Sequence, residues 1–149
     1  MQTSENPVFK GVALVCDDNS MNLMLICEHL RLVGLEVIAA IEGTEGIEKV
    51  RKRAQLSAKS ANENSDTPPV KQFDIVFMDI HMPGMDGIET ASLIRKIDKN
   101  IPIVALTTDE RFKHPENFED SGIVDYLGKP YTLHELRHCL MRHLTPVDG

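Results

Sequence analysis

The sequence predicts a single α/β domain with a parallel sheet that is covered by helices on both faces. Short, continuously apolar segments, which are typical of strands buried on both sides, alternate with amphipathic helical segments in five β-α units. The chain has 149 residues, which is enough for one domain with a proper core and leaves no room for a second of comparable size. Ligands of such sheets bind beyond the carboxyl ends of the strands, so a functional site is expected there.

The first two β-α units precede the middle of the chain. Their predicted ranges are strand 12–16, helix 20–33, strand 36–41 and helix 44–51. The first helix has an apolar face made of Leu23, Ile26, Cys27, Leu30 and Val33. Gly34 ends this helix, and Gly43 or Thr44 caps the second one.

A polar segment from about residue 52 to 72 interrupts the alternation and is predicted to be an extended surface loop. It is rich in Ala, Ser, Asn and Lys, and it closes with Thr67-Pro68-Pro69. Counted from Arg51, it holds five basic and two acidic residues, a local charge of +3 against −10 for the rest of the chain. A solvated linker is the favoured interpretation, and a docking element is the alternative.

Three further units follow this loop. Their predicted ranges are strand 73–78, helix 87–98, strand 101–106, a helix that begins near Pro115, strand 124–127 and helix 132–144. The last helix carries Leu133, Leu136, Leu140 and Leu144 on one face. We therefore expect a domain over residues 10–144, flanked by an N-terminal tail (1–9) and a C-terminal tail (145–149).

Charge and composition exclude several classes of function. The 16 Lys and Arg residues against 23 Asp and Glu leave a formal charge of −7, which disfavours direct binding to nucleic acid or to an anionic membrane surface. No apolar run approaches the roughly 20 residues that cross a bilayer. Cys16, Cys27 and Cys139 lie within apolar patterns, so we expect free buried thiols and a cytoplasmic location.

Five chemically active side chains follow the ends of four predicted strands. They are Asp17 and Asp18 after the first, Asp79 after the third, Thr107 after the fourth and Lys129 after the fifth. Three carboxylates in one crevice repel each other, so the arrangement requires a cation unless one of them stays protonated, and oxygen donors at a partly open site suit Mg²⁺. Such a carboxylate can attack phosphorus while the metal and an ammonium group neutralise the transferring group. The residues therefore predict phosphoryl transfer.

Four motifs at these strand ends carry a family resemblance. They are Asp17-Asp18-Asn19, Phe77-Met78-Asp79-Ile80-His81-Met82-Pro83-Gly84-Met85-Asp86-Gly87, Ala105-Leu106-Thr107 and Asp125-Tyr126-Leu127-Gly128-Lys129-Pro130. Together they resemble the receiver domain of two-component response regulators, and most of all the receivers of hybrid histidine kinases. The resemblance spans about residues 10 to 144 and implies a flavodoxin-like fold with strand order 2-1-3-4-5.

The resemblance also implies roles for the site residues. Asp79 would accept the phosphoryl group from a phosphohistidine on a histidine kinase or a histidine phosphotransfer protein. Asp18, Asp79 and the backbone carbonyl of His81 would bind Mg²⁺, while Asp17 would act largely through water. Lys129 would pair with the phosphoryl group.

Signalling residues follow from the same resemblance. Thr107 would close its hydroxyl on the phosphate and Tyr126 would turn inward behind it, which would reshape the face made by the fourth predicted helix, the fifth strand and the last helix. Two receivers would form a homodimer through that face, although Pro115 perturbs its usual pattern. Pro130 would follow a cis peptide bond. His81 and Asp109 would tune the lifetime of the phosphoaspartate.

The outer face of the first helix is predicted to dock the phosphodonor. Met21, Met24, Leu25 and Leu32 alternate there with polar residues, which is more apolar area than a solvated face needs. Its first turn borders Asp18, and Pro130 would complete the docking surface from the neighbouring loop.

Other interpretations of the same residues are open. A haloacid-dehalogenase-type phosphatase also uses an aspartyl nucleophile and Mg²⁺, but it would place a second Asp where this chain has His81. An isolated receiver would be no enzyme beyond catalysing its own phosphorylation and dephosphorylation, and it would either stand alone or belong to a longer hybrid kinase. His134 and His138 have a zinc-binding spacing, but no third ligand is evident and we expect them to be solvent-exposed.

Overall fold

The computed structural model describes residues 7–62, 71–82, 84–108 and 121–147. Five parallel strands form one sheet in the order β2-β1-β3-β4-β5. The strands are β1 (Val12–Cys16), β2 (Glu36–Ala40), β3 (Ile75–Asp79), β4 (Ile103–Thr107) and β5 (Asp125–Gly128), and the described helices are α1 (Ser20–Leu32), α2 (Gly43–Asn62), α3 (Gly87–Ile97) and α4 (Leu133–His143). The predicted flavodoxin-like topology is confirmed, while the helix predicted near Pro115 lies outside the described residues.

The helices cover both faces of the sheet, which explains the continuously apolar strands. Core residues of α1 and α4 pack with one face of the sheet, and those of α2 and α3 pack with the other. Every residue of β3 and β4 is buried as a result. Successive side chains of one strand join opposite core clusters, as Val15 and Cys16 do in β1.

The register of the strands brings their carboxyl ends to one edge of the sheet. Cys16 pairs with Met78, and Thr107 pairs with Gly128. The residues that follow β1 therefore lie beside the end of β3, and those that follow β5 lie beside the end of β4. Helices start close to this edge because polar side chains cap them, Asn19 on α1 and Asp86 on α3.

The predicted loop over residues 52–72 is wrong for its first half. Helix α2 continues to Asn62 instead of ending near Arg51. The reason is that residues 52–62 contain neither Pro nor Gly and are mostly Ala, Lys, Arg, Gln and Leu, which favour a helix on a polar surface. Arg53 anchors the extension, since its guanidinium donates to the backbone oxygen of Lys71 (2.9 Å) and lies over the ring of Phe73. Residues 63–70 are outside the described part of the chain.

Both predicted tails make contacts that the sequence pattern did not indicate. Phe9 is buried in the core, and its backbone N–H donates to the carbonyl of Val33. The N–H of Val147 donates to the carbonyl of Val8. The sequence pattern missed this contact because a single aromatic residue and one backbone pairing have no periodicity.

The expectation for the cysteines holds in the structure. All three cysteines are free and buried. In the described ranges, none of the helices combines the length and apolar character needed to cross a membrane.

Candidate functional site

The first two carboxylates of the site lie in the turn between β1 and α1. Asp17 is buried, its backbone N–H donates to the carbonyl of Ala40, and its Oδ1 accepts the backbone N–H of Asn19 at 2.9 Å. Asp18 is exposed. This turn therefore holds one carboxylate rigidly inside the crevice and leaves the other at its mouth.

The third carboxylate, Asp79, is the last residue of β3. It is buried, with 6% of its surface exposed, and its Oδ1 accepts the backbone N–H of His81 at 3.1 Å. The following loop closes on itself, since the N–H of Gly87 donates to the carbonyl of Ile80. Gly87 packs directly on the backbone of Asp79, where a Cβ atom would overlap the carbonyl oxygen. A side chain is excluded at position 87, a constraint that the sequence reading did not identify.

Lys129 reaches these carboxylates from the end of β5. Its Nζ lies 3.0 Å from Oδ2 of Asp17 and 3.7 Å from Oδ1 of Asp79. The backbone N–H of Lys129 donates to the carbonyl of Thr107, which ties β5 to the end of β4. The peptide bond between Lys129 and Pro130 is cis, as the resemblance implied.

Burial and mutual repulsion shape the electrostatics of Asp79. Burial raises its pKa to about 7, and the charge of Asp17 and a hydrogen bond with it act in the same direction, whereas Lys129 and the N–H of His81 oppose the shift. A bound cation would favour the ionised form and thus lower this pKa. The free site is therefore short of positive charge despite Lys129.

The donor set fits Mg²⁺. Carboxylate oxygens of Asp17, Asp18 and Asp79 all lie within 4.8 Å of one another. Hard oxygen donors with one exposed member suit Mg²⁺, which keeps several waters and accepts phosphate oxygens beside a few protein ligands. The backbone carbonyl of His81 as a further ligand stays a prediction.

The predicted switch residues Thr107 and Tyr126 line one cleft together with Lys129. Thr107 ends β4 and is buried, whereas Thr108 is exposed. Tyr126 is half-buried on β5, where it pairs with Ala105 and packs against the apolar core between the sheet and α3. Asp109 lies outside the described residues, so its predicted role is untested.

The apolar outer face of α1 is exposed beside the site. Met21, Met24 and Leu25 are 79%, 63% and 50% exposed. A cavity of about 280 Å³ continues from this face to Pro130, and its lining includes both Leu25 and Lys129. The surface predicted for docking therefore runs without a break to the acidic cluster.

One contact at this surface was missed by sequence reading. His29 Nδ1 lies 2.9 Å from the hydroxyl of Tyr131, and the two rings pack edge to face. This pair joins α1 to the loop after β5, across 102 positions of sequence. No local pattern could have linked them.

Comparisons with known proteins agree with this geometry. A family model described as the response regulator receiver domain matches residues 13–141. The sensor protein GacS of Pseudomonas syringae pv. syringae is 31% identical over 134 residues, and hybrid signal transduction histidine kinase L of Dictyostelium discoideum is 30% identical over 138. The alignments cover 87% and 89% of this chain but only 13% and 7% of those proteins.

Solved structures are similar to the whole fold. The receiver domain of the histidine kinase CKI1 from Arabidopsis thaliana, complexed with Mg²⁺, has a TM-score of 0.75 and 25% identity, and the match covers 92% of this chain and 94% of that one. The receiver domain of sensor histidine kinase PA1611 from Pseudomonas aeruginosa, with magnesium in its active-site cleft, has a TM-score of 0.68 and 28% identity; the match covers 90% of this chain and 97% of that one.

Proposed function

Because this chain belongs to the response regulator receiver domain family, we propose that it accepts a phosphoryl group on Asp79 and relays it as a two-component signal. Its cofactor would be Mg²⁺, which Asp18, Asp79 and the backbone carbonyl of His81 would hold, with Asp17 acting largely through water. The observation that carries the proposal is the convergence of these three carboxylates with the ammonium of Lys129 at one sheet edge. Nothing in the site favours a haloacid-dehalogenase-type phosphatase, since His81 stands where its second Asp would be.

The proposed chemistry needs only positioning and charge. The ionised carboxylate of Asp79 attacks phosphorus, the bond from phosphorus to the donor imidazole nitrogen breaks, and that nitrogen keeps the electron pair. Mg²⁺ supplies positive charge that favours the ionised carboxylate and offsets the charge of the phosphoryl oxygens. Lys129, already within 3.7 Å of Asp79, moves from Asp17 to the phosphoryl group. The domain is no enzyme for any other substrate.

The proposed switch uses the residues beside the cluster. The hydroxyl of Thr107 donates to the new phosphoryl group, and Tyr126 turns inward into the space behind it. Thr107 pairs with Gly128 of β5, Tyr126 belongs to β5, and both line one cleft with Glu135 of α4. The change therefore reaches the surface that β5 and α4 form. We further propose that two receivers form a homodimer through that surface and that the domain belongs to a longer hybrid kinase in the cytoplasm. The proposal includes no direct contact with nucleic acid or with a membrane.

Phosphorylation of Asp79 is tested by labelling with a small phosphodonor and Mg²⁺. We expect Asp79→Asn to lose all acid-stable, hydroxylamine-sensitive label, because an amide cannot attack phosphorus. Asp86→Asn is the matched control: it lies in the same loop, and Asn caps α3 as well as Asp does, so labelling should be unchanged. Label that persists in Asp79→Asn would overturn the proposal, and steady release of phosphate from phosphate esters would favour the phosphatase.

Docking of a phosphohistidine protein on α1 is the second prediction. We expect Met21→Asp and Leu25→Asp to slow transfer from the cognate histidine kinase or phosphotransfer protein about tenfold or more, because an apolar contact area gains a charge. Labelling by a small phosphodonor should not change. Leu56→Asp is the control, because Leu56 is also exposed but lies on α2, at the other face of the sheet. Equal loss with both donors would contradict docking here.

The lifetime of the phosphoaspartate gives a third prediction. His81 is exposed, and its backbone N–H donates to Oδ1 of Asp79, so we place its side chain at the edge of the path that an attacking water would take. We expect His81→Ala to hydrolyse its phosphoaspartate severalfold faster than wild type, measured as decay of label after the donor is removed. An unchanged or longer lifetime would remove this role, and Asp109→Ala tests the other predicted tuning residue in the same assay.

A further inference from the structure

A second cluster of metal-ligating side chains lies between β5 and α4, apart from the acidic site. Among the described residues, Asp125, Cys139 and His143 each offer a ligand atom within 4.8 Å of the other two. Asp125 starts β5, while Cys139 and His143 are one helical turn apart on α4 and project from the same side. The strand and the helix therefore supply an oxygen, a sulfur and a nitrogen to one point.

The distances are close to those of a tetrahedral metal site. Oδ2 of Asp125 lies 2.8 Å from Nε2 of His143 and 3.8 Å from Sγ of Cys139. Zinc bonds of about 2.0–2.3 Å place neighbouring tetrahedral ligands about 3.3–3.5 Å apart. Shifts of about 0.5 Å would bring these two distances into that range, and the ligand atoms of Cys139 and His143 lie within 4.8 Å of each other.

From this geometry we propose that Asp125, Cys139 and His143 form a binding site for Zn²⁺ or a similar borderline-soft divalent metal, with water as the fourth ligand. Thiolate and imidazole ligands distinguish it from the oxygen-only Mg²⁺ site. Binding replaces the thiol hydrogen of Cys139 by the metal, and that proton leaves to solvent. A cleft lined by Asp125, His138 and Arg142 gives access from outside.

Arg142 is the competitor of the metal. Its Nε donates to the same Oδ2 of Asp125 at 2.8 Å, and its side chain is 52% exposed. It can therefore swing into solvent when a cation arrives. Metal binding would then replace an exposed ion pair by bonds that hold α4 against the start of β5, next to Tyr126.

The test uses Co²⁺ and Zn²⁺ on the whole chain with excess Mg²⁺ filling the acidic site. We expect one equivalent of Co²⁺ to give a thiolate charge-transfer absorption that is lost in Cys139→Ser and kept in Cys27→Ser. Zn²⁺ should compete with Co²⁺ for this site. Its affinity should fall at least about tenfold in His143→Gln, which loses a ligand. Its affinity should rise about tenfold in Arg142→Gln, because the competing donor and its positive charge are gone.

The controls separate this site from other ligands. His138→Gln should bind Zn²⁺ as wild type does, because His138 belongs to the exposed His134–His138 pair. Labelling of Asp79 verifies that each variant is folded, and the partly exposed His143 provides the test if Cys139→Ser does not fold. Any of three results would overturn the proposal. Wild type could show no thiolate absorption, the absorption could survive in Cys139→Ser, or Zn²⁺ binding could be lost in His138→Gln.

Discussion

Gly87→Ala is expected to lower the rate of Asp79 labelling about 100-fold and the free energy of unfolding by about 2 kcal/mol. A Cβ atom at position 87 would overlap the carbonyl oxygen of Asp79 and lie 2.8 Å from its carbonyl carbon. Backbone cannot move aside as a flexible side chain can, so the start of α3 and the end of β3 must separate. A displacement of about 1 Å is enough to spoil alignment for phosphoryl transfer. Labelling kinetics and thermal unfolding measure the two effects.

Gly84→Ala separates this clash from an ordinary glycine effect. Gly84 lies in the same loop with φ +77°, and a Cβ atom there would meet nothing within 4 Å. The substitution should therefore lower the free energy of unfolding by only about 1 kcal/mol, the cost of a left-handed backbone for alanine, and the rate of labelling should be nearly unchanged. If both variants label at the same rate, close packing at Gly87 is not what positions Asp79.

The positions of the charged site residues were easier to predict from the sequence than the tertiary contacts that hold them in place. Asp17, Asp79 and Lys129 follow apolar strands, and parallel strands necessarily end at one edge, so local pattern and topology together located them. The extension of α2 to Asn62 was missed because its Ser and Asn residues and the prolines that follow indicate a loop, whereas the more numerous Ala, Lys, Arg, Gln and Leu favour a helix. Anchoring by Arg53 on Phe73 is a tertiary contact.

Contacts between distant parts of the chain were equally invisible to sequence reading. The His29–Tyr131 pair and the backbone hydrogen bond from Phe9 to Val33 depend on how the elements come together. The role of Gly87 is of the same kind, since only the folded chain brings its Cα onto the backbone of Asp79. Residue types at strand ends predict chemistry, while the geometry that makes the chemistry work comes from tertiary packing.

Asp79→Asn is expected to stabilise the metal-free fold by about 1–3 kcal/mol at about pH 8. Burial and Asp17 raise the pKa of Asp79 to about 7 from 3.8, so folding disfavours its ionised form. The folded state holds the Asp79 proton more tightly than the unfolded state. Stability therefore falls as pH rises from about 4 to about 7, and the amide has no such dependence. The melting temperatures of wild type and variant should coincide near pH 4 and diverge up to about pH 8.

Mg²⁺ should reverse the order of the two proteins. At about pH 8 it should raise the melting temperature of wild type by several degrees, because it binds only the folded carboxylate cluster, and raise that of Asp79→Asn much less. Asp86→Asn should follow wild type with and without the metal. A metal-free Asp79→Asn that melts below wild type at about pH 8 would contradict the cost assigned to burying this carboxylate. Confirmation would mean that the domain keeps an unfavourable charge at Asp79 because metal binding and phosphorylation require it.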